Sequence, residues 1–295
     1  MQMVQLNSLI LFCKPVAMKA LKFISITLLL CCILCGYGFA QQARLVTIPN
    51  SNHLQMHSKL AGNNYDIYIH YPAGYDTAKR KFPVLYVVDG DNDFSPSLEY
   101  LGLLMAEYHI PEPILVAIGD GGLIGTPGNK RNRDFTPTKN PATPESGGAP
   151  AFLAFIEKEL IPTIDVDLKT DTANRTLYGY SMGGLFATYT LFMQPSLFKN
   201  ILIGSPALGY DNGSVFDIEK SYFAKHKSLP VNVFIEVGGL ETPGQVVPNK
   251  QLVALLDERN YQKLVFKHII IDNVTHLSGK PVTMLKALQW AYTGK

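Results

Sequence analysis

The apolar positions along the chain fall into short continuous runs that alternate with stretches of helical periodicity. Such runs are typical of strands buried on both faces of a sheet, and helices between them indicate parallel crossover connections. The sequence therefore predicts an α/β fold with a mostly parallel, doubly wound sheet and helices on both faces. The predicted strands cover residues 64–72, 83–90, 113–120, 175–180, 199–207, 231–239 and 264–271. The predicted helices cover residues 95–108, 151–164, 185–195, 249–260 and 281–292.

Two local features add to this pattern. The first helix, residues 95–108, is expected to begin with Ser95 as its N-cap and Pro96 at its first position. The segment 120–150 is rich in Gly, Pro, Thr and Asn and has no periodicity. A loop of this length inside a compact domain is usually functional or disordered, and it follows the carboxyl end of a strand, where open α/β sheets bind ligands. We therefore expect this segment to border the functional site.

The first 40 residues differ from the rest of the chain. They contain three lysines and no acidic residue, and residues 23–40 are almost wholly apolar. This order is typical of a signal peptide, and we predict cleavage before Gln41, with Met18 as an alternative start. The alternative is a membrane anchor, because the apolar run nearly reaches the roughly 18–20 residues that span a bilayer.

Removal of this leader changes what the composition implies. All four cysteines lie in it, so the mature chain has no disulfide, no thiol nucleophile and no Cys-based metal site. Without the leader lysines, 23 basic and 24 acidic residues remain, and no basic run stands out. We therefore expect no nucleic acid partner and no stable membrane association. Residues 41–295 are enough for one core, and we predict a single exported domain, periplasmic or secreted.

The residues 179–183 read Gly-Tyr-Ser-Met-Gly and contain the pattern G-x-S-x-G. A predicted strand precedes the pattern and an apolar helix follows it, which is the arrangement that presents a nucleophilic serine above a sheet. No lysine follows the glycines, as it would in a phosphate-binding loop. We predict Ser181 as the nucleophile and the Met182 N–H as an oxyanion donor. The second donor is expected from Gly90 or Asp91 after an earlier strand, where the alternative is a simple turn.

The general base should follow the serine along the chain in this arrangement. Three histidines do so, namely His226, His268 and His276. His268 falls inside a predicted strand and His226 in a charged helical end. His276 lies after the last predicted strand and before the last helix, which is where the arrangement presents its base. We therefore predict His276 as the base.

The acid that orients the imidazole is less clearly marked. Glu241 lies in the loop after the strand 231–239, where a carboxylate can fix the tautomer of the base and stabilise its cation. Glu236 within the strand, Asp211 after the preceding strand and Asp272 near the base are competing candidates. We predict Glu241 and keep the other three as alternatives.

These features together resemble the Putative esterase family of α/β-hydrolases, which includes enterochelin esterase-like siderophore hydrolases, feruloyl esterases and the esterase D group. The matching stretches run from about residue 64 to 290 and include YDIYIHYPAGYD, RNRDFTP, RTLYGYSMGGLFATY and THLS. The resemblance implies an α/β-hydrolase fold with Ser181 as nucleophile and His276 as base. It favours Glu241 as the acid.

The resemblance also bears on the substrate pocket. The pattern R-x-x-D-F-T-P at residues 131–137 is similar to the siderophore-esterase-like branch. It suggests that Arg131 or Arg133 faces the pocket, unless these arginines serve only the solubility of the loop. We assign Tyr180 and Tyr210 to the same pocket.

The sequence as a whole predicts a serine hydrolase that cleaves a small-molecule carboxylic ester through an acyl-enzyme, with no metal or organic cofactor. A siderophore-type lactone is the expected substrate. The alternatives are a feruloyl or acetyl carbohydrate ester, acyl transfer to an alcohol, and a catalytically silent binding module on the same fold, which an intact triad disfavours. Departures from the family pattern at Gly209-Tyr210 and Val274-Thr275 leave the substrate open. The sequence does not indicate an oligomeric state.

Overall fold

The computed structural model describes residues 23, 25–27 and 46–294. The predicted signal peptide, the alternative start at Met18 and the cleavage before Gln41 fall almost wholly outside these residues and stay predictions. Residues from Pro49 onward form one compact unit. Within the described part of the chain, no helix combines the length and the apolar character needed to cross a bilayer.

A single sheet of eight strands organises the described residues. In chain order the strands are β1 (Ser51–Ser58), β2 (Asn63–His70), β3 (Phe82–Val87), β4 (Ile114–Gly119), β5 (Thr170–Tyr180), β6 (Asn200–Gly204), β7 (Asn232–Gly238) and β8 (Val265–Ile271). Across the sheet their order is β1-β2-β4-β3-β5-β6-β7-β8. The pairs β1–β2 and β2–β4 are antiparallel, and all other neighbours are parallel.

Helices cover both faces of this sheet. They are α1 (Gly90–Tyr108), α2 (Arg131–Asp134), α3 (Ala149–Phe155), α4 (Ile161–Asp167), α5 (Met182–Met193), α6 (Ser214–Lys225), α7 (Pro243–Arg259) and α8 (His276–Thr293). A π-helical turn over Ile156–Leu160 joins α3 to α4, and a 3₁₀ turn over Tyr210–Gly213 precedes α6. The predicted mostly parallel, doubly wound α/β fold is confirmed.

The strand β3 shows how one apolar run forms two cores. Successive side chains of a strand point to opposite faces of the sheet. Val84 and Tyr86 therefore pack in the larger core with α3, α5 and α7, whereas Leu85 and Val87 pack in the smaller core with α1 and α8. All four are fully buried. A continuous apolar run is what a strand covered on both faces requires.

The first helix begins earlier than the sequence predicted. It starts at Gly90, so Ser95 is not its N-cap and Pro96 lies inside it. The reason is Asp89, whose left-handed backbone (φ 57°) turns the chain out of β3, and whose carbonyl accepts hydrogen bonds from the N–H groups of Asn92 and Asp93 at 2.9 and 3.0 Å. The helices α7 and α8 also begin before their predicted starts.

Besides the single-turn helix α2, two longer elements were not predicted. The strand β1 has the polar sequence SNHLQMHS and is mostly exposed, because it is an edge strand held by main-chain pairing with β2. The helix α6 buries only Val215 and Glu219, so its apolar periodicity is weak. Both lie away from the strong hydrophobic signals from which the remaining elements were predicted.

Candidate active site

Ser181 lies at the junction of β5 and α5 in a strained backbone conformation, with φ 58° and ψ −114°. Such values are rare for a residue with a side chain and occur where the surrounding structure enforces them. The flanking glycines are required sterically. A Cβ at Gly179 would lie 2.2 Å from the carbonyl oxygen of Gly183, and a Cβ at Gly183 would lie 2.9 Å from Val88. The turn therefore leaves little room for a side chain at either glycine, as in the G-x-S-x-G turn that presents a nucleophilic serine between a strand and a helix.

His276 is the first residue of α8, and its ring reaches the serine. Its Nε2 lies 2.9 Å from the Oγ of Ser181. Thr275 is the N-cap of the helix and forms a capping box with Ser278, which fixes the entry of the chain into α8. The side chain of His276 is 34% exposed, so the ring borders the solvent.

Glu241 completes a chain of hydrogen bonds with these two residues. Its Oε2 lies 2.7 Å from the Nδ1 of His276, and its side chain is fully buried. Burial alone would raise the pKa of Glu241, but hydrogen bonds from His276, Ser205 and the Gly238 N–H outweigh it and lower the pKa. The ionised carboxylate can only accept, so Nδ1 carries the proton and Nε2 accepts from the hydroxyl of Ser181.

The competing carboxylates have other surroundings. Asp211 accepts a hydrogen bond from the hydroxyl of Thr138. Asp272 is exposed in the turn after β8. Glu236 lies buried in β7, where burial raises its pKa to about 7. The structure thus brings Glu241, rather than these three, into contact with the Nδ1 of His276.

The predicted oxyanion donors all lie in the first turns of helices. Met182 is the first residue of α5, and Gly90 and Asp91 are the first two residues of α1. The N–H groups in a first helical turn have no carbonyl partner within the helix, and the helix dipole adds partial positive charge there. Gly90 must be a glycine, since a Cβ would lie 2.6 Å from the main chain of Ile118 in β4. Their donor role stays a prediction.

The side chain of Asp91 accepts three hydrogen bonds that the sequence did not predict. Its carboxylate accepts from the main-chain N–H groups of Asp120 and Gly122, at 2.9 and 3.1 Å. The phenol of Tyr68 donates to it at 2.7 Å. Asp91 thereby ties the beginning of the segment 120–150 to the start of α1.

Arg131 and Arg133, predicted to face the substrate, form internal ion pairs. Arg131 makes a bidentate pair with Asp89, at 2.8 and 3.0 Å. Arg133 pairs with the carboxylate of its neighbour Asp134, at 2.7 and 3.0 Å. Both carboxylates are buried, so each guanidinium balances a charge that would otherwise be costly. The contact of these arginines with a substrate stays a prediction.

The two tyrosines assigned to the pocket also make defined internal contacts. The phenol of Tyr180, only 4% exposed, donates to the carbonyl of His276 at 2.5 Å. The phenol of Tyr210 donates to the carbonyl of Thr138 at 2.9 Å, which ties the turn after β6 to the segment 120–150. Tyr180 therefore supports the histidine, and its part in binding substrate stays a prediction.

Further buried acids surround the helix α1 near this edge of the sheet. Lys280 of α8 pairs with Asp93 of α1 at 2.6 Å, although burial still raises the pKa of Asp93 to about 6. Asp120 is completely buried, and burial together with the neighbouring Asp89 raises its pKa well above the usual range. The spacing of the aspartates after β3 was the one sequence signal for this cluster. Among the described residues, no three His, Cys, Asp or Glu are arranged to hold a metal ion.

The arrangement has the parts that acyl transfer requires. A hydroxyl, an imidazole and a buried carboxylate are joined in sequence by hydrogen bonds of 2.9 and 2.7 Å. The first turn of α5, whose N–H groups have no carbonyl partner within the helix, directly follows the serine. Such a set can remove the hydroxyl proton, stabilise the resulting imidazolium and hold an oxyanion.

Comparisons with known proteins agree with this chemistry. Residues 58–270 match the family model described as Putative esterase. Ferri-bacillibactin esterase BesA from Bacillus subtilis is 27% identical over 265 residues, which cover 83% of this chain and 90% of that protein. Siderophore triacetylfusarinine C esterase from Aspergillus fumigatus is 30% identical over 190 residues, which cover 62% of this chain and 64% of that protein. The crystal structure of BES protein from Bacillus cereus has a TM-score of 0.75 and 31% identity, covering 85% of this chain and 97% of that chain.

Proposed function

The chain belongs to the Putative esterase family and is a carboxylic ester hydrolase, and we propose that it cleaves a siderophore-type ester through an acyl-enzyme on Ser181. The observation that carries the assignment of Ser181 is the unbroken hydrogen-bond sequence from its Oγ through the ring of His276 to Glu241. A serine hydroxyl is a weak nucleophile until an adjacent base accepts its proton.

In the first half of the proposed reaction, Nε2 of His276 takes the proton of Ser181 while Oγ attacks the ester carbonyl. The tetrahedral oxyanion is held by the N–H of Met182 and by that of Gly90 or Asp91. Glu241 stabilises the imidazolium, which then protonates the departing alcohol. In the second half, His276 activates water, which releases the acid and restores the serine.

The substrate class rests on the relatives. Of the two relatives described above, one is named a ferri-bacillibactin esterase and the other a siderophore triacetylfusarinine C esterase. The departure at residues 274–275 directly precedes His276, and the panel of esters below identifies the particular ester.

A panel of esters tests the proposal. The enzyme and its Ser181→Ala variant would be assayed on a catecholate trilactone siderophore, a hydroxamate siderophore ester, a feruloyl sugar, an acetyl sugar and a simple aryl ester. We expect kcat/KM to be highest for one of the two siderophores. A preference for a carbohydrate ester would move the assignment to the carbohydrate esterases. Product esters formed in the presence of an added alcohol would reveal acyl transfer.

We also propose that the protein is exported by cleavage of residues 1–40. The lysines and the apolar run before Gln41 support this reading. Protein recovered from its native host should begin near residue 41, as measured by N-terminal sequencing. It should also be extracted from the cells or their medium without detergent. An uncleaved N-terminus that requires detergent for extraction would instead support a membrane anchor.

A further inference from the structure

Ser205, the residue directly after β6, lies against the pair formed by Glu241 and His276. It is fully buried, and its Oγ is 2.6 and 2.8 Å from the two carboxylate oxygens of Glu241. The same oxygen is 3.1 Å from the Nδ1 of His276. One hydroxyl therefore contacts both members of the imidazole–carboxylate pair.

The backbone of Ser205 is held in an unfavourable conformation. Its φ is 34°, in the left-handed region, and Pro206 follows it, although residues before proline strongly prefer extended backbone. Its N–H donates to the carbonyl of Glu236 at 2.8 Å, and its carbonyl accepts from the side-chain amide of Gln245 at 3.1 Å. These two hydrogen bonds hold the strained backbone of Ser205 in place. Backbone strain of this kind is found mainly at functional sites, where the surrounding structure enforces it.

The proton positions follow from the chemistry of the three groups. Glu241 can only accept, and Nδ1 of His276 directs its proton to Oε2 at 2.7 Å. The single proton of the Ser205 hydroxyl must then also point to the carboxylate. The lone pairs of the same oxygen are left facing the Nδ1–H of His276.

We propose that Ser205 is a positioning residue of the hydrolytic site, which holds the carboxylate of Glu241 in the orientation that faces His276 and shares its negative charge. The inference rests on the proposed function, because it assigns Ser205 a part in the same reaction. Among the residues that the structure describes, one main-chain group also donates to Glu241, the N–H of Gly238 at 2.8 Å. Without the hydroxyl, the carboxylate would keep that contact at one oxygen and gain freedom to turn.

Two substitutions separate the hydroxyl from the backbone. Ser205→Gly removes the hydroxyl and relieves the strain at φ 34°, and Ser205→Ala removes the hydroxyl alone. We expect kcat to fall about tenfold to a hundredfold in both variants with little change in KM, as for loss of a hydrogen bond to a charged group. The matched control is Ser97→Ala. Ser97 is equally buried, and its hydroxyl donates to the carbonyl of Asp93 at 2.6 Å, so kcat should stay within about twofold.

A double-mutant cycle tests whether Ser205 acts through Glu241. In a Glu241→Ala background, the change Ser205→Gly should cost no further activity. The same loss of kcat in both backgrounds would show that Ser205 acts independently and would overturn the proposal. The acid limb of kcat/KM should also move to lower pH in Ser205→Gly, because a carboxylate that is free to turn stabilises the imidazolium less. An unmoved limb would indicate a merely structural role.

The rate at which a fluorophosphonate labels Ser181 distinguishes a failure of the proposed esterase function from a failure of the proposed role of Ser205. Wild-type protein that is labelled but hydrolyses no ester would contradict the proposed function and leave the measurement on Ser205 intact. Labelling should be slower in Ser205→Gly than in wild type and Ser97→Ala. Equal rates in all three proteins would overturn the role of Ser205.

Discussion

The phenol of Tyr180 donates a 2.5 Å hydrogen bond to the carbonyl of His276, so the residue before the proposed nucleophile holds the main chain of the proposed base. The contact joins the end of β5 to the first turn of α8. The rings of the two residues also lie 5.2 Å apart. A neighbour of Ser181 therefore contacts both the main chain and the ring of His276.

Replacement of Tyr180 by phenylalanine should lower kcat about tenfold and the free energy of unfolding by about 1 kcal/mol. The reason is that the variant keeps the ring and loses only the phenol that fixes the main chain of His276. Tyr222→Phe is the control, since its phenol also donates to a carbonyl, that of Ser228 at 2.8 Å, and contacts none of the proposed catalytic residues. Equal kcat in both variants would show that the Tyr180 contact does not position the base.

Ser181→Ala should abolish hydrolysis and leave the fold intact. The loss of kcat in a triad can reach about a million-fold, because no other group can form the acyl-enzyme. Melting temperature and circular dichroism would check the fold, and a fluorophosphonate should label wild-type protein once, at Ser181. Activity above one hundredth of the wild-type value would contradict the assignment.

Glu241→Ala should lower kcat by several orders of magnitude, but by less than Ser181→Ala, because the acid orients and stabilises the imidazole without forming a bond to substrate. Glu241→Gln should also be poor, because an amide cannot balance the imidazolium charge. Steady-state kinetics on an aryl ester would measure both.

The controls for Glu241 are Asp272→Asn and Asp211→Asn, in which kcat should stay within about tenfold of wild type. Asp211 binds Thr138 instead, and Asp272 is exposed. A severe loss in Asp272→Asn with an active Glu241→Ala would assign the acid to Asp272.

Glu236→Gln should make the protein more stable above pH 7. Burial raises the pKa of Glu236 from 4.5 to about 7, so the folded state retains a proton that the unfolded state releases. Between pH 4.5 and 7 the free energy of unfolding therefore falls as the pH rises, by about 3 kcal/mol in all. The glutamine variant lacks this decline. Urea unfolding of both proteins at pH 4.5, 6 and 8 would measure it, and parallel curves for the two proteins would contradict it.

The sheet was predictable because each central strand must be apolar on both faces. The run PVLYVV around β3 shows this, since its alternate residues serve two cores. The strand β1 was missed because it is held by main-chain pairing, which leaves no pattern in side chains. The start of α1 was placed too late because its first turn carries the buried Gly90 and Asp93 rather than a periodic apolar stripe.

The candidate site also has residues that the sequence predicts and contacts that only the structure shows. Ser181 and His276 follow from the order of strands and helices, which the sequence displays. The choice among four carboxylates depends on a distance of 2.7 Å between residues 35 positions apart, and only the folded chain provides it. The pairing of Arg131 with Asp89 spans 42 positions, so the sequence showed two charges without showing that each neutralises the other.

Asp91 anchors the beginning of the segment 120–150 through main-chain N–H groups, which every residue type except proline provides. The anchor therefore persists when side chains further along the segment are exchanged. Since the proposed nucleophile, base and acid follow β5, β8 and β7, the exposed side chains at positions 123–127 of the segment can be exchanged without disturbing them. Evolution, or a laboratory library confined to these positions, can thus diversify the range of accepted esters while the machinery that breaks the bond is inherited unchanged.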